Sequence, residues 1–206
     1  MIKSIRILFV FLGFLGLVSN SFAADVTMRI SIQLPMKSHL GQNLLLFKND
    51  VEKKSNGEIE VQIYDSAQLY KDKEVPAAVG SGSIESGVAS LTRYVGDIPA
   101  VDLFYQPFLL NSEEKVRKAV AKGSSIRGPI DKAIEGTGST VLWWQAYGSA
   151  IMLSKGKAIK NPSDMKGKKV RVFGKTLGAF VKASGGAATL ISGSEQYLAY
   201  QRGTVD

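Results

Sequence analysis

Val26-Thr27-Met28-Arg29-Ile30-Ser31-Ile32-Gln33-Leu34 sets an apolar side chain at every second position. A period of two is that of a strand with one buried face, and Pro35 ends it by withdrawing a backbone donor. From His39 to Lys54 the period changes, and Leu40, Leu44, Phe47 and Val51 fall on one helical stripe. Asn56-Gly57 supplies the expected stop, since both residue types tolerate the left-handed backbone that closes a helix. Glu58 to Tyr64 alternates again through Ile59, Val61 and Ile63. Strand, helix and strand in close succession form a βαβ unit, which predicts an α/β protein built on a parallel sheet with a right-handed crossover.

The same reading extends outward. A helix of small residues is predicted from Lys73 to about Ser81, then a short strand from Ile84 to Ser90. An irregular apolar stretch runs from Tyr94 through Pro99 to Phe108. Ser112 followed by Glu113 and Glu114 is a helix start, with a capping hydroxyl and acids in the first turn. A further helix passes through Ile126, Ile130 and Ile134. The bulky residues of Thr140 to Tyr147 read as a strand. After Gly148 the pattern restarts, with strands expected at Ile151–Ser154 and Lys169–Phe173 and helices at Leu177–Ala183 and Ser194–Arg202. Two α/β lobes follow, residues 24–148 and a smaller one at 149–206.

Residues 1–23 read as a cleavable leader. Lys3 and Arg6 precede the apolar stretch Ile7 to Val18, and Ser21-Phe22-Ala23 places small residues before the cut. Export to the periplasm is the expectation, and a chain without cysteine has neither disulfides nor a lipid-anchoring thiol. The net charge of +8 is spread in short clusters such as Lys166, Lys168 and Lys169. No basic run alternates with aromatics, so nucleic acid is not expected as a partner.

Catalytic and metal motifs do not emerge from this chain. His39 is its single histidine, which excludes a paired-histidine metal site and leaves a Ser-His-Asp triad only that one residue, at the start of a helix where a solvent-facing side chain is expected. Neither a nucleophile elbow, a phosphate loop nor a dinucleotide fingerprint is present. The expectation is a binding protein that is not an enzyme, with no cofactor and no metal.

Asn161-Pro162-Ser163-Asp164-Met165-Lys166-Gly167-Lys168-Lys169-Val170-Arg171-Val172-Phe173 carries the functional argument. A capped turn feeds a strand in which Val170 and Val172 share one face and Arg171 and Phe173 the other. A guanidinium inside a short apolar strand costs several kcal/mol unless it is paired. Its partner is either a protein carboxylate or a ligand carboxylate gripped by the planar fork.

This segment resembles the signature of the extracytoplasmic binding subunits of TRAP (tripartite ATP-independent periplasmic) transporters. Further stretches match in order: Ser55-Asn56-Gly57-Glu58-Ile59-Glu60-Val61, Asp65-Ser66-Ala67-Gln68-Leu69, Ala100 to Leu109 with its Pro107-Phe108, and Glu195 to Asp206. The resemblance implies a two-lobed periplasmic binding protein of type II-like architecture. Such a protein closes over a small organic acid and delivers it to the transporter's membrane subunits. It implies that Arg171 grips the carboxylate and that Ser90 and the neighbourhood of Arg93 face the cleft. Phe173 shares Arg171's strand face and is a candidate to line the same cleft. Of Trp143 and Trp144, near the lobe crossing, Trp144 is a candidate to stack on the ligand, with core packing as the alternative. A binding protein for another transporter or for a sensory receptor is the alternative function, and a periplasmic enzyme acting on carboxylates a further one.

Two departures from the family pattern stand out. Some relatives place a second arginine where this chain has Ile151, which argues against sialic acid as the ligand. The family also continues beyond the position of Asp206, which implies that the second lobe is incomplete within these residues.

Overall fold

The computed structural model describes residues 24–206, so the expected leader lies outside the described residues. β1 (Val26–Ser31), α1 (His39–Lys54) and β2 (Ile59–Tyr64) form the βαβ unit that the alternation predicts. Ser38 caps α1 by accepting the Gly41 N–H, and Gly57 closes it at φ +86° while donating to the Glu52 carbonyl. After α2 (Val75–Gly80) comes β3, reduced to Ser86–Gly87. The expected longer strand is not formed. Gly87 sits so close to Val75 that an added Cβ would lie 2.5 Å from its Cγ1, and the chain turns away after two ladder residues.

The first sheet is parallel in the order β2-β1-β3, with Val26 opposite Ile59, Ser31 opposite Tyr64 and Ile30 opposite Ser86. Ile30, Ile32, Leu40, Leu44 and Val61 are buried together between this sheet and α1. Two 3-10 turns follow, Leu91–Tyr94 and Pro99–Tyr105, then α3 (Glu113–Val120), capped by Ser112, and α4 (Arg127–Glu135). Ile98, Val101, Ile130 and Ile134 form a second apolar cluster beneath them.

The strands expected at Thr140–Tyr147 and Ile151–Ser154 are not present. A strand exists only as part of a ladder, and within the described residues no neighbouring strand pairs with these stretches. Trp143 and Trp144 are instead held by side-chain packing, on the first and second clusters respectively. Ile151 and Leu153 are left exposed.

A 3-10 turn at Pro162–Met165 then leads into β4 (Lys169–Val172). Its entry is fixed by the Asp164 carboxylate, which accepts the N–H groups of Lys160 and Asn161. α5 (Lys175–Ala183) carries the chain to β5 (Ala187–Leu190), parallel to β4 with Arg171 opposite Thr189. A turn at Gly193–Glu195 and α6 (Gln196–Gln201) follow, and Met165, Val172 and Val181 form the apolar cluster of this second unit. β5 has no counterpart in the sequence reading, because Ala-Ala-Thr-Leu is too small and too short to show a period.

Candidate ligand-binding cleft

The carboxyl ends of parallel strands converge on one region, where α/β proteins characteristically bind ligands. Gln33 follows β1, Ser90 and Arg93 follow β3, Phe173 follows β4 and Ile191 follows β5. The two units are joined there by polar contacts. The Thr92 hydroxyl, on a residue only 4% exposed, donates to the Phe173 carbonyl at 3.1 Å. Thr176 donates to Asp102 at 2.5 Å, and Lys71 pairs with Glu195 at 2.8 Å.

Arg171 stands at the centre of this junction. Its Nε donates to the Ile191 carbonyl at 2.9 Å, and its guanidinium lies 5.1 Å from the centroid of the Phe173 ring. Of the two partners the sequence allows, no protein carboxylate pairs with it among the described residues. Burial lowers its pKa from the ordinary arginine value, and the like charge of Arg93 lowers it further. Tyr147 and Asp72 act in the opposite sense. A half-desolvated guanidinium whose forked end has no anionic partner among the described residues has the chemistry to accept an anion.

Arg93 is close by but differently committed. Its Nε donates to Asp72 Oδ2 at 2.5 Å, with the two side chains 10% and 1% exposed. The other Asp72 oxygen accepts the Ser90 N–H at 2.8 Å, so this one carboxylate fixes the backbone at Ser90 and the cation at Arg93. Tyr105 braces the group: its hydroxyl accepts the Thr92 N–H at 3.2 Å, and its ring meets Phe173 edge-on at 6.0 Å. Burial raises the Tyr105 pKa above the usual phenol value.

The structure thus brings together four of the five residues singled out from sequence: Arg171, Phe173, Ser90 and Arg93. Trp144 is not with them. Its indole N–H donates to Asp131 at 2.6 Å, its ring packs on Phe104, and Arg127 lies over its face, so it belongs to the second apolar cluster. Packing, the alternative reading for this residue, is where the structure puts it.

Three participants were not legible in the sequence. Asp72 lies in a polar run, Lys71-Asp72-Lys73-Glu74, that looks like a solvated turn until burial singles it out. Tyr147, about half exposed, lies within electrostatic reach of Asp72 and Arg171, and the buried part of its ring raises its pKa. Gln33 holds its Oε1 buried without a donor, against Gly193, where an added Cβ would lie 2.6 Å from that oxygen and 3.7 Å from Arg171 Nη2. His39, exposed at the start of α1, meets only the edge of Tyr147 at 6.2 Å. Among the described residues no cluster of three or more His, Cys, Asp or Glu could hold a metal, and no helix is long and apolar enough to cross a membrane.

Comparison with known proteins agrees with the α/β fold. A solute-binding protein of Verminephrobacter eiseniae is 31% identical over 189 residues, 89% of this chain and 55% of that protein. The C4-dicarboxylate-binding periplasmic protein DctP of Rhodobacter capsulatus is 30% identical, over 93% of this chain and 57% of the relative. Among solved structures, a TRAP periplasmic solute-binding protein from Sulfurospirillum deleyianum, with bound succinate, superposes with a TM-score of 0.81 at 25% identity. That match covers 89% of this chain and 59% of the other. A second, from a Polaromonas species and bound to D-erythronate, gives 0.81 at 26% identity over 88% of this chain and 59% of its own. The chain therefore spans a little over half the length of these relatives, and its two parallel-sheet units correspond to the two-lobed α/β fold of that group. Residues 30–206 match the family model of the bacterial extracellular solute-binding proteins, family 7, and the chain belongs to that family.

Proposed function

We propose that this protein captures a small organic acid in the cleft between its two units and passes it, without chemical change, to the membrane subunits of a TRAP transporter. The observation that carries the reading is the state of Arg171: half-buried, oriented by a backbone carbonyl, and with no protein carboxylate paired to it among the described residues. A ligand carboxylate met by the free end of that guanidinium gains charge-assisted hydrogen bonds worth about 1.5–3 kcal/mol each. Phe173 covers one side of the guanidinium, while Ser90 and Arg93 stand across the junction. Relatives of similar fold hold succinate and D-erythronate, both carboxylates, which supports the ligand class. Work in the periplasm follows from the leader read at residues 1–23 and from the periplasmic relatives.

The test is a thermal-shift screen of the purified full-length protein against a panel of organic acids at millimolar concentration, repeated with Arg171→Ala. A ligand at one hundred times its Kd stabilises the native state by about 2.7 kcal/mol, a shift of a few degrees. A shift with one class of acid, lost in the variant, is the expected result. A folded protein that responds to no acid, or an Arg171→Ala variant that responds as the parent does, refutes the reading.

A further inference from the structure

The charges around Arg171 can be balanced one by one. Arg93 and Asp72 are paired at 2.5 Å with both side chains buried, so their charges cancel inside the junction. Lys71, next to Asp72 in the chain, is paired with Glu195, two residues beyond Gly193 and therefore beside the loop that holds Gln33 and Arg171. Arg171 has no such partner among the described residues, only the Ile191 carbonyl and the Phe173 ring. The Arg93 pair sits against Arg171's strand because Thr92 is bonded to the Phe173 carbonyl, and Tyr105 bridges Thr92 to the Phe173 ring. Among the described residues the region thus carries one uncompensated arginine where it holds two.

We propose that Asp72 is a specificity-determining residue which, by neutralising Arg93, leaves the cleft matched to a monocarboxylate rather than to a dicarboxylate. This rests on the carboxylate-binding reading above. A ligand with a single carboxylate meets Arg171 and leaves no anion unpaired. A dicarboxylate must bury a second charge beside an arginine that Asp72 already balances, so that charge loses its hydration without gaining an uncompensated partner in Arg93. Arg93 keeps its Nη donors, but its charge is already balanced by Asp72, itself held by the Ser90 N–H, so a second carboxylate there meets a neutral pair.

The test compares two acids of nearly equal size, 4-hydroxybutyrate and succinate, by titration calorimetry on the full-length protein. The native protein is expected to bind 4-hydroxybutyrate about tenfold more tightly, the value of one charge-assisted hydrogen bond forgone by the dianion. Asp72→Asn keeps the shape but frees Arg93, and the ratio is expected to move about tenfold toward succinate. The double variant Asp72→Asn/Arg93→Gln, with a neutral pair, is expected to restore the native preference, which a purely structural role for Asp72 would not do. If Asp72→Asn does not fold, the native ratio alone decides. Succinate bound as tightly as 4-hydroxybutyrate by the native protein, or a ratio unmoved in a folded Asp72→Asn variant, overturns the inference while leaving the carboxylate reading intact. Binding of neither acid, nor of any other carboxylate, removes both.

Discussion

Gly174 follows Phe173 at the point where the two units touch, and its backbone is extended at φ −162°, a conformation any residue adopts. Replacement by alanine therefore carries no backbone penalty, and its whole cost is steric. The new Cβ would lie 2.5 Å from Thr92 Oγ1 but 3.5 Å from Thr92 Cβ, so the clash is with the hydroxyl alone. Overpacking of this kind costs about 1–3 kcal/mol. Thr92→Ala removes the hydroxyl and strands the Phe173 carbonyl it bonds to, which also costs about 1–3 kcal/mol at a buried site. In the double variant the alanine methyl at 174 meets only the Cβ that position 92 retains, at 3.5 Å, an ordinary contact. The two losses should then fall short of additivity by about 1 kcal/mol or more. Urea denaturation of the parent, both single variants and the double variant measures this coupling directly. Additivity within about 0.5 kcal/mol would refute the reasoning, because it would mean that residues 92 and 174 are not in contact in solution.

Two further expectations concern the first unit. Leu44 is 2% exposed among Ile30, Ile32, Leu40 and Val61, so Leu44→Ala should cost about 2–5 kcal/mol in chemical denaturation, whereas Leu46→Ala, on a 67% exposed side chain of the same helix, should change stability by less than about 0.5 kcal/mol. Glu85 is held to a pKa of about 2 by its hydrogen bond and ion pair with Arg29, below the usual 4.5 of a free glutamate. A depressed carboxylate pKa gives stability that is complete above about pH 4.5 and lost as pH falls toward 2. The advantage of the parent over Glu85→Gln in urea should accordingly be present at pH 6 and shrink steadily below pH 4.5, and an advantage that grows on acidification would contradict it. Both side chains are more than a third exposed, so added salt should also reduce it.

Local chemistry made much of the fold legible. α1 occupies the predicted His39–Lys54 because its stripe, its Ser38 cap and the Asn56-Gly57 stop are all encoded within one short segment. The same holds for β1, β2 and α3 with its Ser112 cap. The face shared by Arg171 and Phe173 also follows from strand alternation, and the structure bears it out with the guanidinium over the ring. Where the reading failed, the deciding partner was far away in the chain. Thr140 to Tyr147 has a strand's composition but no strand beside it among the described residues, while Ala187 to Leu190 has almost none and becomes β5 because β4 offers it a ladder. Trp144 could be read as a stacking platform or as core, and only Asp131, Phe104 and Arg127 around it make it core.

Composition and periodicity are enough to establish an α/β protein with strand-helix-strand units, without cysteine and with a single histidine, and to place Arg171 in an apolar strand that needs an anionic partner. Which carboxylate is spent and which cation is left depends on how the chain folds. Asp72 pairs with Arg93, twenty-one residues away, rather than with Arg171 on the other unit. Periodicity and capping are set by neighbours within a turn or two of chain, so they can be read from it. Pairing of buried charges is set by which strand ends converge, and that is fixed by the sheets' order rather than by any local pattern.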